Sequence, residues 1–316
     1  MISVFAQARV AGTSRNDLPV IGAIVAVLTW GIGPLMTRGM SVPTSTLVFY
    51  RLALGAPMMI LIAYWTGGKF SLDLMKKTAI PGILFGLSML TGFASIKLTS
   101  IANATLITTL QPALVLLVAP RLFGERWRAI RLFFAMIAFG GVSIVVLASA
   151  STSGANSKGD LLAGANVVIW TIYFLMAKHL RNAGIHSWTF LACVFSWASV
   201  VVVPWAFISH SDFGAMNTND WILIVLMAFI PGILGHGLMT WAQKHIDVTL
   251  ASLLGLASPV ISTIGAWVIF DQILRPMQIL GAGIVLGALG ALLRSYRGQM
   301  VFEHEAITPS VDPLLS

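Results

Sequence analysis

The chain has 316 residues, of which 57% are hydrophobic and only 9% are charged, and its formal net charge at pH 7 is +8. A soluble domain has about 25% charged residues because it must cover a water-facing surface, so this composition excludes an ordinary soluble protein. The basic residues lie in short clusters between apolar runs, which indicates loops beside anionic lipid headgroups and not a nucleic-acid partner. We therefore predict that a lipid bilayer surrounds most of the chain.

Ten apolar windows are long enough to cross a bilayer, since a spanning helix needs roughly 20 mostly apolar residues. In chain order they lie near residues 19–37, 44–65, 79–96, 101–119, 130–149, 160–178, 187–208, 221–241, 248–269 and 276–293. Residues 1–18 are more polar and are predicted to form a retained cytoplasmic N-terminal segment. Residues 150–159 form a small, polar linker, and 295–316 are predicted to be a disordered cytoplasmic tail.

The sequence Ile-Pro-Gly-Ile-Leu occurs at 80–84 and again at 230–234. Two further sets of positions repeat in register, at constant offsets of 147 and 140 residues. The first set pairs Lys97, Ala104, Leu106, Pro112, Phe123 and Gly140 with Lys244, Ala251, Leu253, Pro259, Phe270 and Gly287, and the second pairs Trp30, Met36 and Arg38 with Trp170, Met176 and Lys178. The chain is therefore predicted to be duplicated, with one five-helix repeat in 19–149 and another in 160–294.

Lys and Arg residues accumulate in the loops on one side of the predicted membrane. That side carries Arg9, Arg15, Lys69, Lys76, Lys77, Arg121, Arg126, Arg128, Arg131, Lys178, Arg181, Lys244, Arg294 and Arg297. The other side carries only Arg38, Lys97, Lys158 and Arg275. This bias predicts a multi-pass protein of the inner (plasma) membrane with both termini in the cytoplasm.

An odd number of spans in each half inverts the second repeat relative to the first. The predicted fold class is therefore an all-α integral membrane protein, with ten transmembrane helices arranged as two inverted five-helix repeats. Inverted repeats place equivalent surfaces on opposite sides of a central plane, so a midplane site can open to either side in turn. Transport is the function that this symmetry favours.

Arg51 and His236 are ionisable residues inside predicted spans, where a charge is costly and therefore indicates a function. Arg51 is either an anchor for a carboxylate or phosphate, or a brace that bonds the carbonyls of neighbouring helices. His236 either carries a proton or binds a substrate, or it is bonded to a carbonyl across a helix interface. No Asp or Glu lies in the middle of a predicted span, which disfavours a cationic substrate.

Trp30 and Trp170 occupy equivalent positions in the two repeats, so inverted symmetry predicts that both face a central cavity. Their rings can enclose an apolar or aromatic solute, and each indole N–H is one donor. Tyr173 follows Trp170 by one helical turn and is predicted to share its face. The alternative, an interfacial aromatic belt, fits other tryptophans better: Trp65, Trp127, Trp188, Trp205 and Trp221.

Uncharged polar residues in the same helices are further candidates for substrate binding, or else they form hydrogen bonds between packed helices. They are Asn103, Thr108, Gln111, Asn166, Gln243 and Ser258. Prolines remove helix hydrogen bonds and are therefore predicted hinges or helix breaks. The four candidates at repeated positions are Pro81, Pro112, Pro231 and Pro259.

Several motifs are missing from the sequence. Cys193 is the single cysteine, the six histidines show no metal-ligand spacing, and no phosphate-binding loop occurs. We therefore predict no cofactor, no metal and no enzymatic activity, with an integral-membrane enzyme as the alternative from a different class. Gly283 and Gly287 have the spacing of a helix-packing face, which fits either a monomer or a homodimer.

The order and duplication of these motifs resemble the drug/metabolite transporter superfamily, and specifically its EamA-type metabolite exporters. The similarity covers about residues 19–294. It rests on Trp30-Gly31, Arg51, Gln111-Pro112 and Gly124-Glu125 in the first half, and on Trp170, Ser258-Pro259 and Gly281 to Gly287 in the second. The chain departs from the pattern at Gln272, the counterpart of Glu125, and Arg51 has no counterpart, so unequal roles of the two halves are expected.

The resemblance implies a secondary transporter that exports a small metabolite by alternating access. The resemblance implies an amino acid or a similar metabolite as the solute. The absence of a carboxylate in mid-span favours a neutral, zwitterionic or weakly anionic molecule over a cation, and His236 makes protons the candidate coupling ion. The alternatives are an exporter of drugs or organic cations, a passive channel, and the membrane enzyme. Related four-helix multidrug exporters use an intramembrane carboxylate, which no span of this sequence carries at its middle.

Overall fold

The computed structural model describes residues 17–99, 104, 107–125, 129–149, 156–214, 216–270 and 274–307. All regular structure within these ranges is helical. The ten helical elements are α1 (Leu18–Gly39), α2 (Thr44–Trp65), α3 (Leu72–Leu98), α4 (Gln111–Phe123), α5 (Ala129–Ser149), α6 (Ser157–Asn182), α7 (Ser187–Ile208), α8 (Thr218–Met227, Ala228–Gly235 and His236–Ala242), α9 (Val248–Leu254, Gly255–Ala257 and Ser258–Phe270) and α10 (Pro276–Ile307).

Nine of the helices within the described ranges are long and apolar enough to cross a membrane. The remaining one, α4, has 13 residues, and the predicted window 101–119 begins in residues that are outside the described ranges. Pro112 stands in the first turn of α4, where its missing N–H needs no partner, and Gly124 ends the helix with a φ of 67°. The predicted all-α integral membrane fold is confirmed.

Most of the main contacts between helices occur twice, once for a helix of the first repeat and once for its counterpart in the second. Helix α3 packs on α6 and α7 of the second repeat, and its counterpart α8 packs on α1 and α2 of the first. Helix α9 packs on α1, and its counterpart α4 packs on α6. The equivalent pairs α2 with α7, α4 with α9, and α5 with α10 also pack on each other. The two repeats therefore interleave, and the helices near the centre come from both.

Two clusters of buried apolar side chains form the core. One is built mainly from α1, α5, α9 and α10, and the other mainly from α2 and α7, with Phe85, Phe190 and Phe195 fully buried in the second. Trp170 packs against both clusters. This residue therefore lies at the boundary where the two parts of the core meet.

Three of the four predicted helix breaks coincide with irregular backbone. Pro231 lies in a π-helical segment of α8, Ala228–Gly235, and a 3-10 turn, Gly255–Ala257, precedes Pro259. Before Pro112 the chain makes a turn in which Leu110 N donates to Ile107 O at 3.1 Å. A proline cannot donate to the helix ladder, and a local 3-10 or π geometry accommodates the missing bond.

The predicted break at Pro81 is wrong, because α3 continues from Leu72 to Leu98 as one α-helix. Pro81 and Gly82 are buried against α7. A Cβ on Gly82 would stand 2.4 Å from Trp197 Cβ, so α7 packs directly on this part of the backbone. This close packing supports an unbroken helix in spite of the proline.

The predicted disordered tail does not begin at 295, because α10 continues to Ile307. Residues 298–306 contain no proline, and the first proline after α10 is Pro309. No proline therefore interrupts the helix before that point. The remainder of the tail, the N-terminal segment to residue 16, linker residues 150–155, Asn103 and Gln272 lie outside the described residues.

Candidate functional site

A cavity of about 360 Å³ lies between the two repeats. Residues of α1, α2, α3 and α4 line it from the first repeat, and residues of α6, α8 and α9 line it from the second. This volume is within the range of small-molecule sites, which is roughly 300–1,000 Å³. The described lining residues combine aromatic, small and uncharged polar side chains with one arginine, and none of them is Asp or Glu.

The structure brings eight of the nine predicted substrate-binding residues to this cavity. They are Trp30, Arg51, Thr108, Gln111, Asn166, Trp170, His236 and Ser258. Three of the predicted hinge prolines, Pro112, Pro231 and Pro259, line it as well. Gln243 does not, since it is buried and its amide donates to Phe174 O at 3.4 Å. That contact is a hydrogen bond between packed helices, which was the alternative for these polar residues.

Trp30 and Trp170 meet at the cavity with ring centroids 5.9 Å apart and an interplanar angle of 81°. His236 completes the group, with its ring 5.3 Å from Trp30 and 5.0 Å from Phe85. Edge-to-face arrangements of this kind are favourable because the positive edge of one ring meets the negative face of the other. The equivalent tryptophans of the two repeats therefore form one aromatic surface.

Tyr173 lies behind this surface and not on it, so the prediction that it shares the face of Trp170 is wrong. Its side chain is only 3% exposed, and its ring lies 5.1 Å from Trp170 and 5.0 Å from Phe85. A spacing of three residues is compatible with a shared helix face, but packing against Phe85 of α3 places the ring of Tyr173 in the apolar core.

The glycines on either side of His236 leave room for side chains of neighbouring helices. A Cβ on Gly235 would stand 2.4 Å from Thr29 Oγ1 and 2.8 Å from Trp30 Nε1, and a Cβ on Gly237 would stand 2.4 Å from Trp188 Cη2. Glycine is therefore required at both positions for the observed packing. Gly235 brings α8, and with it the imidazole of His236, close to Trp30, and Gly237 brings α8 close to Trp188 of α7.

Most polar groups around the cavity have partners within the protein. Ser88 Oγ donates to Phe85 O at 2.9 Å, and Ser262 Oγ donates to Gly31 O at 2.6 Å. Asn166 Oδ1 accepts from Thr91 Oγ1 at 3.4 Å. These bonds tie the lining side chains to their own helices or to the neighbouring repeat.

Polar contacts between the repeats hold one end of the molecule together. The carboxylate of Glu125, after α4, accepts hydrogen bonds from Val248 N at 2.7 Å and Thr249 N at 3.3 Å at the start of α9. Arg131 of α5 forms an ion pair with Asp247 at 2.7 Å. At the same end, and within the second repeat, Lys178 Nζ donates to Ile246 O at 2.8 Å. Glu125 therefore caps a helix of the opposite repeat.

The opposite end has its own contacts between the repeats. Ser41 N and Oγ donate to the carboxylate of Asp220 at 2.9 Å and 2.7 Å. Asn219 Nδ2 donates to Gly39 O at 3.0 Å. These bonds join the connection between α1 and α2 to the start of α8.

Helix α3 contributes several lining residues that the sequence reasoning missed. They are Phe85, Ser88, Met89, Gly92, Phe93, Ser95 and Ile96. Ser88, Gly92 and Ser95 are spaced four and three residues apart, so they share one face of the helix. This stripe of small residues in an apolar span was the signal in the sequence that would have indicated a cavity-lining face.

Two interleaved helical repeats around a central cavity of small-molecule size define a membrane transporter of small solutes. A comparison with known families agrees with this class. The chain belongs to the EamA-like transporter family, whose model matches residues 17–147 and 157–294, one match in each repeat. The resemblance predicted from the sequence motifs is confirmed.

Characterised relatives cover most of the chain. The pseudopaline exporter CntI of Pseudomonas aeruginosa (strain UCBPP-PA14) is 24% identical over 288 residues, which are 88% of this chain and 97% of the relative. The aromatic amino acid exporter YddG of Ancylobacter novellus is 26% identical over 262 residues, 79% of this chain and 88% of the relative. A solved crystal structure with 23% identity superposes with a TM-score of 0.73, covers 87% of this chain and 97% of its own, and shows the same fold.

Proposed function

We propose that this protein is a secondary transporter that exports a small metabolite from the cytoplasm across the inner membrane by alternating access. The observation that carries the proposal is the meeting of Trp30 and Trp170, equivalent residues of the two repeats, at one cavity. A site built from both repeats changes its exposure when one repeat tilts against the other. Membership of a transporter family supports this proposal.

The positive-inside rule assigns the end that carries Glu125, Arg131 and Lys178 to the cytoplasm, together with both termini. At that end the two repeats are joined, and the cavity lining begins at Ala251, in the first turn of α9. Toward the other end, where the repeats are also joined, the lining reaches Ile96, near the end of α3. The lining therefore extends close to both ends of the spanning helices.

The proposed solute is an amino acid or a similar neutral or zwitterionic metabolite. The aromatic surface favours a solute with an apolar or aromatic part, and one relative is named as an exporter of aromatic amino acids. An organic cation is the second candidate, since aromatic faces also attract cations. It is disfavoured because none of the described lining residues supplies a negative charge.

His236 is the proposed carrier of any coupled proton. Among the described lining residues it is the side chain whose unperturbed pKa lies near neutrality. Its neighbours Trp30, Phe85 and Trp170 keep the ring in a fixed position beside the solute cavity. A pH dependence of transport that persists in His236→Gln would contradict this assignment.

The function is tested by counterflow in proteoliposomes. Vesicles that contain the purified protein and unlabelled L-phenylalanine are expected to accumulate labelled L-phenylalanine in a saturable manner. Replacement of Trp170 by Ala is expected to weaken the apparent affinity by about tenfold, because aromatic contacts contribute about 0.5–1.5 kcal/mol each. Expression and membrane insertion are expected to be unchanged.

Trp205→Ala is the matched control, because Trp205 is 50% exposed and lies outside the cavity lining. Equal apparent affinities of Trp170→Ala and Trp205→Ala for L-phenylalanine would show that Trp170 does not contribute to substrate binding. Flux that does not saturate and is not stimulated from the opposite side would indicate a channel. Chemical turnover of a lipid or peptide by the purified protein would favour the membrane enzyme, although no group of three metal-ligating side chains occurs in the described part of the chain.

A further inference from the structure

The buried side-chain atoms of the cavity wall that lack a hydrogen-bond partner are all donors. Across the described ranges, the buried side-chain atoms without a hydrogen-bond partner are Trp30 Nε1, Arg51 Nε and Gln111 Nε2. All three residues line the cavity, and each of these nitrogens carries hydrogen. Buried donors are normally paired, so their common location indicates a ligand. A ligand that satisfies this wall has to present acceptors.

Arg51 adds a positive charge to the same wall. Its side chain is 7% exposed, and its Cζ atom lies 5.5 Å from the ring centroid of Phe93. A guanidinium remains charged in a protein, and a buried charge without a counter-ion is strongly unfavourable. The described lining residues include no Asp or Glu that could act as this counter-ion. The missing negative charge is therefore expected to come from the solute.

The rest of the wall suits an apolar group. Phe85 and Trp170 line the same cavity as Arg51, with their ring centroids 6.2 Å apart. The hydroxyls of Ser88 and Ser262 are already bonded to backbone carbonyls. The cavity therefore combines three free donors and one positive charge with aromatic surface, which are the complements of an amphipathic anion or zwitterion.

We propose that this cavity binds the carboxylate of an organic acid or zwitterion with an apolar or aromatic side group. Arg51 is the ion-pair partner of the carboxylate, because its planar fork matches two carboxylate oxygens. Trp30 Nε1 and Gln111 Nε2 donate further hydrogen bonds. The inference rests on the proposed function, since it names the substrate class of the same cavity. A single carboxylate carries one negative charge, so one arginine is sufficient to neutralise it.

The test uses the full-length protein in detergent with three probes that share a phenyl ring and a short chain. These probes are hydrocinnamate, hydrocinnamyl alcohol and phenethylamine. Binding is measured as the rise in melting temperature over a concentration series, because a ligand of the folded state stabilises it. Hydrocinnamate is expected to bind at least about tenfold more tightly than the other two, as charged hydrogen bonds to a carboxylate require.

Arg51→Gln is expected to abolish this preference for the carboxylate. Arg275→Gln is the matched control, because it removes a positive charge from an exposed residue whose guanidinium bonds Ala148 O, outside the cavity lining. Trp30→Phe retains the ring and removes the indole N–H. It is expected to weaken hydrocinnamate binding several-fold and to leave binding of phenethylamine, whose ammonium group has no acceptor, unchanged, so it also serves if Arg51→Gln fails to fold.

Three outcomes contradict the carboxylate site: similar affinities for all three probes, no stabilisation by hydrocinnamate, or an unchanged preference in Arg51→Gln and Trp30→Phe. Counterflow of the same probes separates this inference from the proposed function. Tight binding of hydrocinnamate without saturable counterflow would overturn transport and leave the carboxylate site in place. Counterflow of phenethylamine in preference to hydrocinnamate would retain transport and overturn the site.

Discussion

His245 lies in the short connection between α8 and α9, outside the membrane-spanning segments. Partial burial, together with the positive charges of Lys244, Arg181 and Lys178, lowers the pKa of this imidazole below its usual value of 6.5. The folded protein therefore holds a proton at His245 less tightly than the unfolded chain does. Between the lowered pKa and 6.5 the unfolded chain binds more protons, so stability falls as the pH decreases through this window.

The expected result is a melting temperature that falls between about pH 7 and pH 5, in the range where histidine titrates. His245→Gln is expected to reduce this fall, because glutamine does not titrate. The variant also lacks the ring contact between His245 and Trp241, at 5.4 Å. This loss affects the stability of the variant at both pH values, so it does not alter the difference in melting temperature between them. Equal acid sensitivity of the wild type and the variant would show that His245 does not contribute.

The individual residues of the cavity were predictable where a rule marks them as unusual. Arg51 and His236 stand out because charged or titratable groups are costly in lipid, and Trp30 and Trp170 stand out because the duplication aligns them. The contribution of α3 was missed, since its phenylalanines have the composition of any apolar span. Which face of a helix meets a cavity depends on its neighbours, and the misplacement of Tyr173 has the same origin.

Helix α10 packs on α5 through glycine, and this contact is specific to one position. A Cβ on Gly281 would stand 2.7 Å from the backbone oxygen of Gly141, whereas Gly287 has no atom within 4 Å of its Cβ position. The repeated small residues of α10 therefore differ in their roles. Gly281 permits close packing within the monomer, and Gly287 faces open space.

Gly281→Ala is expected to destabilise the protein by about 1–3 kcal/mol, the usual cost of overpacking, since the backbone of α5 must move. Gly287→Ala is the matched control and is expected to leave the melting temperature of the monomer unchanged or slightly raised, because alanine is favoured over glycine inside a helix. Thermal unfolding of the two purified variants measures the difference. A loss of stability in Gly287→Ala would instead indicate that a second copy of the chain packs on this face.

At the level of elements, length and hydropathy predict the spanning helices but not their local irregularities. The same pentapeptide occurs in α3 and α8, yet Pro81 lies in regular α-helix and Pro231 lies in a π-helical segment. The local sequence is identical, so tertiary packing decides between the two. Close packing of α7 on Gly82 accompanies the regular form. No rule based on a single helix distinguishes these cases.

At the scale of the whole molecule, the interleaved contacts give the two repeats a common interior. Residues of both repeats line the cavity. The duplication in the sequence is sufficient to predict that the two repeats share a central site. The site is asymmetric because the two repeats differ at single equivalent positions. The main difference is Arg51, which has no counterpart in the second repeat.

Accessibility of the cavity from the two faces of the membrane tests the central claim most directly. A cysteine is placed at Asn166, a cavity-lining residue, in a background where the buried Cys193 is replaced by serine. A membrane-impermeant maleimide is then added to sealed right-side-out and inverted vesicles. Alternating access predicts that the new cysteine reacts from both faces while the vesicles remain impermeable to sucrose. Reaction from one face only, or leakage of sucrose through the protein, would contradict the account.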